Sequence, residues 1–326
     1  MDWRRGVRIV VGCAPRFSHT GSRLAPDDTF RMDSRLKTIL DRLVMGVLVA
    51  FVVGVLILWY AGGELTESAT HPIGRPPLSL GARNVTFASA SGALIHGWMT
   101  NGTAGQGMVL LLHGVRNDRR EMLARADFLH RLGYGVLLID FQAHGESRGA
   151  VVTFGELESR DAVAALQYLH HELPAEPVAV IGVSLGAAAY VLAAEGRARV
   201  AAVILESLYP TVDEAVAERM RRFVGPAAPL LAPLLVMQLH PRLGIDPDKL
   251  RPIDRMQKID APVLMISGAR DPNTLSGRTQ ALFAAAPEPK ELWLVDGAAR
   301  EDLQRHAPEQ YERRVSDFLA RYLGRS

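Results

Sequence analysis

The 326-residue chain has a single cysteine, Cys13, which excludes an intramolecular disulfide and offers no thiol cluster for a metal. Its ten histidines show no metal-ligand spacing with suitable partners, so neither a metal nor a cofactor is expected. Charge of one sign is also lacking. With 37 Lys and Arg against 35 Asp and Glu, the net charge of +2 leaves no footprint for nucleic acid. No internal repeat is evident. Long apolar runs are absent from most of the chain, with one exception near the N-terminus.

That exception is Leu43 to Ala61 (LVMGVLVAFVVGVLILWYA), which carries no charge and no polar stripe. As a helix it would be about 28 Å long, close to the roughly 30 Å of a bilayer's hydrocarbon core, so a transmembrane helix is expected over 43–61. Trp59 and Tyr60 stand at its end, where interfacial aromatic residues belong. Arg23, Arg31, Arg35, Lys37 and Arg42 precede the run and only Arg75 closely follows it, which predicts a cytoplasmic N-terminus and an extracytoplasmic C-terminal part. The run exceeds a signal peptide's usual core of about 7 to 15 residues and no A-x-A site follows, so an uncleaved signal anchor is expected. Residues 1–42 read as a disordered cytoplasmic tail, with Met32 as an alternative start, and 62–82 as a linker rich in Pro, Gly, Ser and Thr.

With 48% apolar residues the chain can fill one full core. Strands are expected near Val85–Ala88, Leu94–Met99, Met108–Leu112, Gly135–Asp140, Pro177–Ile181, Val200–Leu205, Val263–Ser267 and Glu291–Val295. Helices are expected near Arg119–Leu132, Phe154–Leu173, after Ala187, and over Pro308–Leu323. Alternation of this kind argues for a mostly parallel sheet with helices on both faces. Ser207 to Ile259 breaks the rhythm, carrying Pro210, Pro226, Pro229, Pro233 and Pro241 among its prolines, and reads as a small helical cap inserted at 207–259. Its apolar piece, Ala227–Leu239, is too short to span a membrane; it either lines an apolar pocket or packs on the core.

Between a strand-like and a helix-like segment lies Gly182-Val183-Ser184-Leu185-Gly186, a G-x-S-x-G pentapeptide. Five residues are weak evidence in a glycine-rich chain, but the strand before and the helix-former run after place Ser184 where open α/β sheets bind ligands. Ser184 is therefore a candidate nucleophile on a sharp turn that only glycine neighbours permit.

Leu111-Leu112-His113-Gly114, then Asp140-Phe141-Gln142-Ala143-His144-Gly145-Glu146-Ser147, then the elbow at Ser184, occur in an order that resembles the α/β-hydrolase superfamily over residues 83–324. The resemblance implies an α/β-hydrolase fold, with a mostly parallel eight-stranded sheet, flanking helices and the cap, and an esterase- or lipase-like serine hydrolase. It also implies an oxyanion hole from the backbone N–H groups of Val115 and Leu185, with His113 and His144 shaping turns beside the site. The catalytic acid corresponds to Asp271, with Glu206 a weaker candidate. The third position departs from the pattern. Where the family's loop reads like G-x-x-H-x-D-L, this chain has Gly297-Ala298-Ala299-Arg300-Glu301-Asp302-Leu303, so Arg300 stands at the histidine's place and is an inactivating substitution unless another residue serves as base. Guanidinium has no acceptor lone pair and a pKa above about 12, so it cannot take the serine proton. In the family's order only His306 follows Asp271 and can substitute as base, although six helical residues would carry it about 9 Å away.

Two readings follow. One is a membrane-anchored serine hydrolase that cleaves a carboxylic ester, thioester or similar acyl substrate, small or lipid-like, through a Ser184 acyl-enzyme, with a same-fold peptidase ranked below it. The other is a catalytically impaired fold that binds a ligand at the capped cleft.

Overall fold

The computed structural model describes residues 34–193, 196, 198–271, 277–300 and 302–324. The expected tail at 1–33, with Cys13 and Met32, lies outside the described residues. Two compact units meet within the first helix, Met1–Val53 and Gly54–Ser326. In the first, the described residues form only the opening of helix α1 (Ser34–Thr66), and every one is exposed. Its apolar stretch is long and apolar enough to cross a membrane.

Helix α1 outruns the expected span at both ends. At the C-terminal end, two glycines fail to break it because packing decides the matter. A Cβ at Gly62 would stand 2.3 Å from Gln238 Oε1, so a larger residue would push that side chain aside, and Thr66 Oγ1 donates to the carbonyls of Gly62 (3.2 Å) and Gly63 (3.1 Å).

The linker expected at 62–82 is corrected in the same region. Ala69–Thr70 pairs in parallel with His144–Gly145, and Ala69 N donates to Ala143 O at 2.7 Å. His71 reaches Asp118 at 3.0 Å. Its Pro, Gly and Ser content reported a lack of regular structure, which is different from a lack of contact.

Eight strands form one sheet: β1 (Arg83–Ala88), β2 (Leu94–Thr100), β3 (Met108–Leu112), β4 (Gly135–Ile139), β5 (Val178–Val183), β6 (Ala202–Glu206), β7 (Val263–Gly268) and β8 (Lys290–Val295). Their spatial order is β8-β7-β6-β5-β3-β4-β2-β1. Only β1 with β2 and β2 with β4 run antiparallel. The parallel strands read as continuous apolar runs because both faces are covered. In β3, Leu110 and Leu112 pack under α3 (Glu158–Glu172) and α4 (Leu185–Leu192), while Val109 and Leu111 face α2 (Leu123–Arg131) and α9 (Pro308–Leu323). A further helix, α8 (Arg278–Ala285), not anticipated, precedes β8 and buries Leu282.

Helix α3 starts four residues after Phe154 for a local reason. Phe154 and Gly155 have φ of 53° and 120°, outside the helical region, while the Glu158 carboxylate accepts from Thr153 N (2.9 Å), Thr153 Oγ1 (2.6 Å) and Gly155 N (2.8 Å). In the same first turn, buried Asp161 accepts from Ser89 Oγ (2.6 Å) and Gln142 N (2.8 Å).

The segment after β6 folds as α5 (Val212–Val224), α6 (Ala228–Val236) and α7 (Leu239–Leu243). They share their own apolar cluster, built on Val212, Val216, Ala232, Leu235 and Leu239. Thr211 caps α5 by accepting from Glu214 N at 3.5 Å. Leu58, Ala61 and Leu65 of α1 pack against this cluster.

Two predictions follow from this packing. A Cβ at Gly186 would fall 2.3 Å from Leu112 O, a backbone atom that cannot swing aside. Gly186→Ala should therefore cost about 2 kcal/mol or more, read as a lowered Tm, because α4 must lift from β3. The second concerns pH. Burial pushes the Asp161 carboxyl up to about 7 from its ordinary 3.8, so the folded chain keeps a proton that the unfolded chain has lost. Its contribution is full below about pH 4 and is lost as pH rises toward 7, on the order of 2 kcal/mol between pH 5 and 7. Denaturant titrations across that window should show a flatter pH dependence for Asp161→Asn than for the native chain.

Candidate active site

Strand β5 runs without a loop into α4, and the junction is Ser184, with φ of 50° and ψ of −103°. A non-glycine residue held there is strained, and the neighbours explain how it persists. Ser184 N donates to Glu206 O at 2.8 Å, and Ser184 O accepts from Ala188 N at 3.0 Å. A Cβ at Gly182 would lie 2.6 Å from Ala187 N, so that position too must be glycine. The elbow thereby raises the Ser184 hydroxyl into a cleft of about 430 Å³.

The loop after β3 forms one wall. Phe141 N–H donates to His113 Nε2 at 3.1 Å, which leaves the ring proton on Nδ1, donated to Gly114 O at 2.7 Å. Burial lowers the His113 pKa to about 3, so the ring stays a neutral clamp. Gly114 N donates in turn to Glu121 Oε2 at 2.6 Å. Burial raises the Glu121 carboxyl above its ordinary value. Val115 lines the cleft beside Ser184, and Leu185 is the buried first residue of α4. Arg116 follows at φ 61° and donates to the carbonyls of Glu64 (3.1 Å) and Glu67 (3.2 Å), at the C-terminal end of α1.

Asp271, just beyond β7, is buried. Arg300, in the loop after β8, reaches between it and the serine. Its Nη2 donates to Ser184 Oγ at 3.0 Å and to Ser207 O at 2.9 Å, and its Nη1 lies 3.6 Å from Asp271 Oδ2. The structure thus brings Ser184, Asp271 and Arg300 together.

It does not bring His306 to them. His306 is exposed, and its Nε2 pairs with Asp296 O at 3.1 Å. His306 is therefore not in place as the expected base in this arrangement of the loop, and the reason is local. Asp302 caps the turn Leu303–His306, accepting from Gln304 N (3.1 Å) and Arg305 N (3.4 Å), and His306 ends that turn on the exposed side, outside the lining of the cleft.

Glu206 is likewise committed elsewhere. It accepts from Arg125 Nε (2.9 Å), Arg125 Nη2 (2.6 Å) and Tyr311 OH (2.5 Å), and Arg125 Nη2 also donates to Asp302 at 3.0 Å. Sequence reasoning missed this buried network, although one signal existed. Arg125 falls on the stripe of Met122, Ala126 and Leu129, a charge on the buried face of a helix that must find a partner.

Arg116, Arg125, Arg219 and Arg300 line the cleft together with Glu121, Glu218 and Asp302. At its focus the guanidinium of Arg300 supplies only donors. It orients the Ser184 oxygen and favours negative charge there, but accepts no proton.

A family model described as "Serine aminopeptidase, S33" matches residues 103–255. Rv2307c, an uncharacterized protein of Mycobacterium tuberculosis, is 34% identical over 272 residues, covering 81% of this chain and 84% of its own. Among solved structures, the Pyrococcus furiosus esterase Pf2001 superposes with a TM-score of 0.63 at 24% identity, over 80% of this chain and 99% of its own. The esterase RhEst1 of Rhodococcus sp. ECU1013 gives 0.54 at 19% identity, over 74% and 99%. The parallel sheet, the strained serine after its fifth strand and these likenesses agree: the chain belongs to the α/β-hydrolase superfamily.

Proposed function

We propose that this chain is a membrane-anchored α/β-hydrolase-fold protein that binds an acyl-type ligand, a carbonyl or carboxylate compound, in the Ser184 cleft and hydrolyses esters only slowly. The observation that carries the reading is the 3.0 Å hydrogen bond from Arg300 Nη2 to Ser184 Oγ. Attack on a carbonyl requires the hydroxyl proton to leave as the new C–O bond forms, and a group that can only donate gives that proton nowhere to go. The guanidinium, together with the backbone N–H groups of Val115 and Leu185, suits an oxygen that carries or develops negative charge. Such a site binds a carboxylate or a polarised carbonyl well and turns it over poorly. The basic flank before α1 supports a cytoplasmic N-terminus, with the cleft on the other side of the membrane.

The strained elbow favours a second reading, since φ of 50° at Ser184 is a cost that acyl transfer explains. In it the chain is a full serine hydrolase acting on an ester or thioester through a Ser184 acyl-enzyme, with Asp271 as the acid. The loop carrying Arg300 would then rearrange to admit His306 as base.

Hydrolysis of p-nitrophenyl acyl esters and fluorophosphonate labelling of the full chain in detergent separate the two. Under the first reading, Arg300→His should raise kcat/KM by about 10³-fold or more, and adding Ser184→Ala should abolish the gain. A native chain that already matches Arg300→His, and that loses its activity in His306→Ala, would overturn the first reading in favour of the second.

A further inference from the structure

Outside α1, eight large apolar side chains are exposed among the described residues, and five of them fall in the short stretch from Phe223 to Met237. Phe223 is 82% exposed, Leu230 78% and Met237 68%, with Val224 and Leu234 beside them. Apolar exposure concentrated in this way marks a contact surface, whereas isolated exposed residues do not.

The junction between α1 and the cap identifies what covers this surface. Where the apolar run of α1 ends, Leu58 O accepts from Gln238 Nε2 at 3.1 Å and Trp59 O accepts from Arg242. The Arg242 guanidinium stacks 3.8 Å from the centroid of the Trp59 ring. Gln238 directly follows Met237, and its Nε2 also reaches Leu234 O at 3.3 Å. One residue therefore joins the exposed apolar patch to the place where the anchor leaves its apolar stretch. Leu230 lies only about 12 Å from Gln238 along a helical path, similar to the thickness of the headgroup layer and its boundary. A cap bonded to the last apolar turn of a membrane helix has to sit at the membrane surface. His240 and Arg242, which follow the patch in sequence, are cations that suit anionic headgroups.

We propose that the outer face of the cap, carrying Phe223, Leu230 and Met237, is immersed in the headgroup region of the bilayer that α1 enters, so that lipid covers it. Helix α5 lines the Ser184 cleft through Ala215, Glu218 and Arg219 and carries Phe223 near its end, so the immersed face borders the cleft. The inference rests on α1 as a membrane anchor and is independent of the chemistry at Ser184.

The test uses the full chain with Cys13→Ser, carrying a single nitrobenzoxadiazole probe at Leu230→Cys, Met237→Cys or, as control, the exposed Leu132→Cys. Each protein is reconstituted in vesicles of phosphatidylcholine and phosphatidylglycerol. Doxyl-labelled phospholipid should quench the two cap probes at least about threefold more than the control, with blue-shifted emission. Cap probes quenched no more than the control, and open to iodide, overturn the proposal. Blue-shifted emission without doxyl quenching, growing with the protein-to-lipid ratio, also overturns it, in favour of a second copy on this face. Flotation after carbonate washing separates the premises. A chain that fails to float overturns anchor and immersed cap together, whereas a floating chain with unquenched cap probes overturns the cap assignment alone.

Discussion

The close approach of α4 to β3 and β5 is the constraint on which the site depends. A helix following a strand without a loop must pass within backbone contact of the sheet, and Gly182 and Gly186 are where it does so. Any side chain there would lift α4 and relax the turn. Because the approach is so tight, Ser184 is held in a conformation it would not otherwise adopt, and its hydroxyl projects from the crest of the sheet. The walls of the cleft are then set by whatever the neighbouring strand ends carry, which are the segments after β3, β4, β6 and β8.

The third position of the site is a substitution of charge state more than of shape. A guanidinium reaches the serine and the buried aspartate from the place a histidine would use, so the scaffold is undisturbed. What changes is the direction of proton traffic. Imidazole alternates between acceptor and donor near neutral pH, while guanidinium remains a donor throughout. Arg300 also puts a fixed positive charge beside Ser184, which a neutral histidine would not provide.

Much of this was legible in the sequence because it is written in local patterns. Continuous β-branched runs mark strands buried on two faces, and the eight expected strands lie within about two residues of those observed. The loop position of Arg300 was legible as well, since it depends on counting from Gly297 and not on packing. What escaped was long-range or competitive. The Arg125–Glu206 and Glu206–Tyr311 contacts join residues 81 and 105 apart in the chain, and no local period encodes them. Thr66 and Gln238 hold helix through a glycine pair that propensity alone would break, and Asp302 caps a turn whose last residue, His306, lies outside the lining of the cleft despite its proximity in sequence.

Arg116 gives the fold a mechanical character that its enzyme-like outline conceals. Its guanidinium grips the last carbonyls at the end of α1, and its own backbone adjoins Val115 at the wall of the cleft. The end of the long N-terminal helix is thus tied to a wall of the cleft. A change in the direction of that helix end would be felt at Val115, and removing the helix would take from Arg116 the two carbonyls that hold its loop.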